Sequence, residues 1–134
     1  MNELPVQDVT YRISPPVSNA ELNALFAAAW KQHVARDFAP VLGHSLAYVC
    51  AYQDDALVGF VNVAWDGGIH AFLLDTTVHP AQGRQGIGRR LVTLAAQEAR
   101  ARGMEWLHVD YEPHLEPFYR ACGFQPTAAG LMGL

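Results

Sequence analysis

The sequence predicts a mixed α/β fold in one domain, and three observations carry that expectation. Two apolar segments, SLAYVCAYQ (45–53) and ALVGFVNVAW (56–65), flank Asp54-Asp55, which is a hairpin pattern. A third strand-like run, IHAFLLDTTV (69–78), follows the turn at WDGG, so the middle of the chain reads as a meander. From Gly86 the apolar spacing lengthens to that of a helix. Hairpin-linked strands argue against a purely parallel, doubly wound sheet. With no linker and no shift in composition, residues 1–134 read as a single α/β (α+β) domain, a mixed central sheet with flanking helices.

The elements follow in order. TYRIS (10–14) is a short first strand closed by Pro15-Pro16. Ser18 and Glu21 have capping-box spacing, and Leu22, Leu25, Phe26, Ala29 and Trp30 then share a helical face, predicting a helix that stops before Pro40. The stretch 31–44 is open to a second short helix or a wall over a site. After the three middle strands, Ile87, Leu91, Leu94, Ala95 and Ala99 form a buried stripe, with Arg89, Thr93, Gln97 and Arg100 opposite and Gly103 as the stop. MEWLHVDY (104–111) reads as a strand with Trp106, His108 and Asp110 on one side and Leu107 and Val109 on the other. A short helix over LEPFYRAC ends at Gly123, and the tail AAGLMGL supplies a last strand.

Half of the residues are apolar, ample for one core at this length. The formal net charge of -4 gives no basic surface for nucleic acid and no polybasic membrane anchor. No run approaches the roughly 20 apolar residues that span a bilayer. The start MNELPVQDVTYRI lacks the basic-then-apolar order of a signal peptide. Cys50 and Cys122 stand far apart without a CxxC spacing, and a reduced, cytoplasmic protein is the simplest expectation.

The densest chemistry lies in HPAQGRQGIGRRL (79–91). A nucleotide P-loop requires a Lys-Ser or Lys-Thr pair after its last glycine, and Arg89-Arg90 follow Gly88 instead. A dinucleotide fingerprint from Gly86 would need glycine where Leu91 stands. A third possibility fits the chemistry. Gly86 and Gly88 bare the backbone at a helix start, where free N–H groups and the helix dipole favour a pyrophosphate, with Arg84, Arg89 and Arg90 as charged contacts. A solvated glycine-rich turn accounts for the same residues on the motif alone.

The segments LLDTTVHPAQGRQGIGRRLVTLAAQEARARG and LHVDYEPHLEPFYRACGF, in that order, resemble the GCN5-related N-acetyltransferase (GNAT) superfamily. The resemblance implies acetyl-CoA as cosubstrate, lying in a splayed opening between LLDTTV and WLHVD. Its pantetheine arm would follow the backbone at Thr76, Thr77 and Val78, with Glu112 nearby. Its pyrophosphate would sit on Arg84, Gln85, Gly86, Ile87, Gly88 and Arg89. The family's usual Gln or Arg ahead of the glycines falls on Gly83, which leaves open the side chain that braces the loop.

The implied function is transfer of the acetyl group to a primary amine of a small molecule or protein by direct attack. The alternative is a non-catalytic acetyl-CoA-binding sensor or interaction module. Tyr119, in FYRACGF, matches the family's tyrosine that serves the leaving thiolate and is also a cofactor contact; by spacing alone it could equally pack in the core. Asp75, His108 and Asp110 are the candidates for the base, since alternation could aim them at the opening and an imidazole suits neutral pH. Glu116 lies one helical turn from Tyr119. No metal is expected, because His108, Asp110 and His114 fall short of the four ligands of a structural site. The expected partners are acetyl-CoA and the amine, with a homodimer allowed and neither nucleic acid nor membrane.

Overall fold

The computed structural model describes residues 8–134. Strands β1 (Thr10–Ile13), β2 (Ser45–Gln53), β3 (Ala56–Trp65), β4 (His70–Val78) and β5 (Trp106–His108) form one sheet in chain order. The first four are antiparallel, and β5 joins β4 in parallel. The parallel step requires a crossover, supplied by α3 (Ile87–Ala101). Helix α1 (Asn19–Ala29) and the short α2 (Ala39–Gly43) fill the connection from β1 to β2, and α4 (Glu116–Ala121) follows β5.

Alternation along the strands divides the core between the two faces of the sheet. Val49, Ala51, Val61, Val63, Ala71 and Leu73 meet Ile87, Leu91, Val92, Ala95 and Ala99 of α3 on one face. Cys50, Tyr52 and Phe60 meet Leu22, Leu25 and Phe26 of α1, together with Phe38, on the other. Gly59 permits the close approach of α3, because a Cβ there would come within 3.0 Å of Leu91 and 3.1 Å of Ile87. The expected capping box is formed: Ser18 Oγ accepts from Glu21 N–H at 3.1 Å, and Glu21 Oε1 accepts from Ser18 N–H at 3.1 Å.

Two expectations need correction. The tail 125–134 forms no strand; Leu131, Met132 and Leu134 are exposed, and β5 remains at the sheet edge. The strand expected over 104–111 pairs only at 106–108, because β4 and the chain after His108 diverge. In the 31–44 stretch the short helix offered for it forms as α2, after a loop over 30–38. Among the described residues no helix is long and apolar enough to cross a membrane.

Candidate functional site

The site begins where the sheet opens. Parallel pairing between β4 and β5 ends at Phe72 and His108. Beyond that point β4 carries a bulge: Phe60 pairs with Thr77 and Asn62 with Leu74, so Asp75 and Thr76 stand opposite a single residue of β3. Asp75 adopts a left-handed φ of 57°, the local cost of that extra residue. The bulge also sorts the side chains after it between the two faces of the sheet.

Thr76 and Val78 turn toward the α3 face. There burial raises the pKa of the Tyr119 phenol, and the neighbouring Thr76 side chain lowers it by less, so the net shift is upward. Only 7% of Tyr119 is exposed. Its ring stacks on Tyr111 at 4.9 Å and meets Phe118 and Phe124 edge-on. Packing and placement therefore coexist: the ring belongs to the core and its hydroxyl reaches the bulged strand beside the opening. A phenol held in its protonated form is suited to donate a proton.

Thr77 turns the other way. With 2% exposure it packs toward α1, donates to the Asp75 carbonyl at 2.9 Å and accepts from Trp30 Nε1–H at 3.4 Å. Its side chain is thus committed to the bulge, which leaves only its backbone for the expected coenzyme contact. Asp75 lines a cleft of about 590 Å³ on the α1 side together with Phe26, Trp30, Gln32, His33, Val34, Ala35 and Arg36.

The other base candidates are spread around this end of the sheet. His108 stacks on Phe72 at 4.8 Å, and its Nε2 is 2.8 Å from His70 Nδ1 at an exposed corner of the sheet. Asp110 is exposed and close enough to raise the Tyr119 pKa. Glu112 pairs with His114 at 3.5 Å on the surface, and Glu116 with Arg120 at 3.5 Å along α4. The structure therefore does not gather Asp75, His108 and Asp110 into one cluster. Among the described residues no three His, Cys, Asp or Glu side chains come together as a metal site.

The glycine loop enters α3 through Gly86, whose φ of 76° makes it a left-handed N-cap. No side chain caps this helix among the described residues, so its first-turn N–H groups are left for another acceptor. A cleft of about 470 Å³ opens at this end between β1 and the loop, lined by Tyr11, Gln85, Gly86, Ile87 and Arg90 among others. Arg84 also takes a left-handed φ, 64°, while Gly83 sits at an ordinary -59°. The irregular glycine is therefore not needed for the turn. The brace comes from the residue before it: Gln82 Nε2 donates to Gln53 Oε1 at 3.1 Å, tying the loop to the end of β2. Gly88 is a helical residue, and a Cβ there would only touch Phe118 and Val78 at 3.5 Å.

Neither cysteine is prepared as a nucleophile. Burial pushes the Cys50 thiol up to about 12, and burial also raises Cys122 despite the nearby Arg89 guanidinium.

Sequence reasoning missed Trp30 as a lining residue, Gln82 as the brace and Tyr111 as the stacking partner of Tyr119; His33 lies in the 31–44 stretch offered as a wall but was not singled out. Only the brace left a local mark, a glutamine one place from the position where such a residue was sought.

Among solved structures, the chain is similar to an acetyltransferase, GNAT family protein SP0256, from Streptococcus pneumoniae TIGR4. That match has a TM-score of 0.78 and 25% identity, covering 95% of this chain and 98% of the other. It shares its fold with aminoglycoside N-acetyltransferase AAC(6')-Iy, solved in complex with CoA, at a TM-score of 0.77 and 16% identity over 97% of this chain and 96% of that one. By sequence it is 26% identical over 104 residues to an uncharacterized N-acetyltransferase, ycf52-like, of Prochlorococcus marinus, covering 75% of this chain and 58% of the relative. It is 28% identical over 78 residues to the ycf52 N-acetyltransferase of Pyropia yezoensis, covering 58% of this chain and 45% of that relative. The chain thus spans about half the length of these curated relatives. The acetyltransferase (GNAT) family model matches residues 15–124, which include both the glycine loop and Tyr119, and the chain belongs to that family.

Proposed function

We propose that the protein is an acetyl-CoA-dependent N-acetyltransferase that acetylates a primary amine by direct attack. One observation carries this reading: the bulged end of β4 presents Thr76 to the Tyr119 hydroxyl on one face and Asp75 to the α1 cleft on the other. A thioester lying along this strand between the two would have a proton donor for its sulfur on one side and room for an amine on the other. The uncapped start of α3 behind Gly86 supports the pyrophosphate, with Arg84, Gln85, Ile87, Gly88 and Arg89 around it. The backbone of Thr76, Thr77 and Val78 is the support for the pantetheine arm.

The chain's own contributions follow from those positions. Aligning amine and thioester in the opening lowers the barrier by proximity. Tyr119, kept protonated by burial, donates to the departing sulfur. The raised thiols of Cys50 and Cys122 favour direct transfer over a covalent acyl-enzyme. Cytoplasmic residence belongs to the same reading, since both cysteines are free and one is in the core.

The test is free-thiol release from acetyl-CoA with a panel of primary amines and a lysine-containing peptide, beside calorimetric titration of acetyl-CoA. Amine-dependent thiol release is expected. Acetyl-CoA binding without it would favour the sensor, and no binding would overturn the reading.

A further inference from the structure

The cleft beside Asp75 is walled by a loop whose conformation is imposed by one side chain. Asn23 of α1 donates from Nδ2 to the Arg36 carbonyl at 2.9 Å, and its Oδ1 accepts from Arg36 N–H at 3.0 Å. Backbone N–H and C=O groups have fixed roles, so these two bonds determine which end of the amide is oxygen. The same Oδ1 lies 2.8 Å from His33 Nε2. An amide oxygen can only accept, so His33 Nε2 carries the hydrogen, and it does so whether the ring is neutral or charged.

The tautomer that follows leaves Nδ1 as the lone pair of the neutral ring, and among the described residues it has no hydrogen-bond partner. The ring itself is held edge-on to Phe26 at 5.6 Å and stacked with Phe38 at 6.4 Å. His33 lines the cleft with Asp75, Phe26, Trp30 and Val34. A clamped imidazole with a defined tautomer and one free acceptor, in a cleft it shares with a carboxylate and an exposed indole, is suited to receive a proton from a cation.

We infer that His33 is the acceptor-side base of this site and that the acceptor is a compact primary alkylammonium with an apolar body. This rests on the N-acetyltransferase reading above. Asp75 and the Trp30 face hold the ammonium by charge and by cation–π attraction, while Phe26 and Val34 meet the apolar body. A cleft of about 590 Å³ is of small-molecule size.

One ammonium N–H bond breaks, and its proton passes to Nδ1 and from there to solvent. The freed lone pair forms the N–C bond to the acetyl carbonyl as the C–S bond breaks. The second proton lost by nitrogen balances the one gained by sulfur. The charged groups lining the cleft with the imidazole are Asp75 from β4 and Arg36 from the loop itself. Helix α1 faces it with Asn23, Phe26 and Trp30, and the approach to α2 with Phe38, none of which ionises.

The decisive measurement is the pH profile of kcat/KM for benzylamine and for the more basic cyclohexylamine. A base on the enzyme gives the wild-type chain an acid limb at the same pH with both amines. His33→Gln keeps a donor for Asn23 but no proton acceptor. It should lower kcat/KM near neutral pH by about 10²-fold or more, and its acid limb should move to follow each amine's own basicity. Acetyl-CoA affinity should stay at the wild-type value.

A wild-type limb that already tracks the amine overturns the assignment even if the variant fails to fold. A variant with unchanged profile and rate overturns it too. Acetyl-CoA binding with no thiol release from either amine, but release with the lysine peptide, overturns the substrate class alone. Loss of acetyl-CoA binding in the wild type would sink the underlying function instead.

Discussion

Gly86→Ala tests whether the loop's left-handed turn is what supports the coenzyme. A Cβ at Gly86 meets nothing within 4 Å, so the substitution introduces no clash. Its whole cost is conformational: an L-residue at φ 76° is disfavoured by about 1–2 kcal/mol. The protein has two ways to bear that cost. If the helix start keeps its shape, urea unfolding shows the chain less stable by about 1–2 kcal/mol with acetyl-CoA affinity intact. If the loop relaxes to a right-handed turn, stability is retained and the cost reappears on binding, as a roughly 5- to 30-fold weaker Kd by calorimetry. The two losses should sum to the same quantity. Arg84→Gly is the matched control, because Arg84 already bears a left-handed φ of 64°. Removing its strain offsets the roughly 0.5–1 kcal/mol entropic cost of glycine, leaving stability close to wild type or higher. Native stability together with native affinity in Gly86→Ala would refute the cradle.

Three further outcomes follow from the same geometry. Tyr119→Phe should lower kcat by about 10²-fold while acetyl-CoA affinity changes little; unchanged turnover removes the leaving-group role. The Cys50 thiol ionises near its ordinary 9.0 in the unfolded chain and only near about 12 when folded. Its contribution is therefore complete below pH 9 and is lost as pH rises toward 12, with stability falling by about 1.4 kcal/mol per pH unit in between. Cys50→Ala should flatten that fall in urea titrations at high pH, and an unaltered slope would assign it to other groups such as Tyr52. Asn23→Ala should speed hydrogen exchange at the Arg36 amide, whose partner is Asn23 Oδ1, and cost about 1–3 kcal/mol of stability; a still-protected Arg36 amide would mean the loop is held otherwise.

The parts of the fold legible in the sequence are those whose pattern is local. Ser18 and Glu21 cap α1 through bonds three residues apart, and Ile87, Leu91, Ala95 and Ala99 report a helix face by spacing alone. The glycine loop was legible for the same reason, since Gly86 opens its helix within one turn. The last strand misled because apolar content in AAGLMGL says nothing about whether a neighbouring edge lies close to it. For His108 and Asp110, alternation assigns a face but not the point at which β4 and β5 part. A bulge at Asp75 reverses the phase of β4 within one residue, and that reversal depends on pairing with β3 rather than on any run of types.

The loop over 30–38 shows what lay beyond local pattern and yet was written in the chain. Helix α1 also carries a polar pair beside its apolar face: Asn19 and Asn23 are one turn apart, next to Phe26 and Trp30 of that face. Asn19 repeats the role of Asn23 further along the loop. Its Oδ1 accepts from Phe38 N–H at 2.8 Å, and its Nδ2 donates to Asp37 Oδ1 at 2.9 Å. That bond and the one from Ala39 N–H hold the Asp37 carboxyl below its usual pKa and turn the chain into α2. Asparagine is a mediocre helix former; Asn19 only opens the helix, but Asn23 lies in its interior and calls for another reason. Here they supply backbone partners to a segment that has no strand to pair with. A helix read only for its apolar face assigns these residues to solvent. Read for backbone demand, the same positions point to the loop they pin, and through it to the ring of His33 beside Asp75.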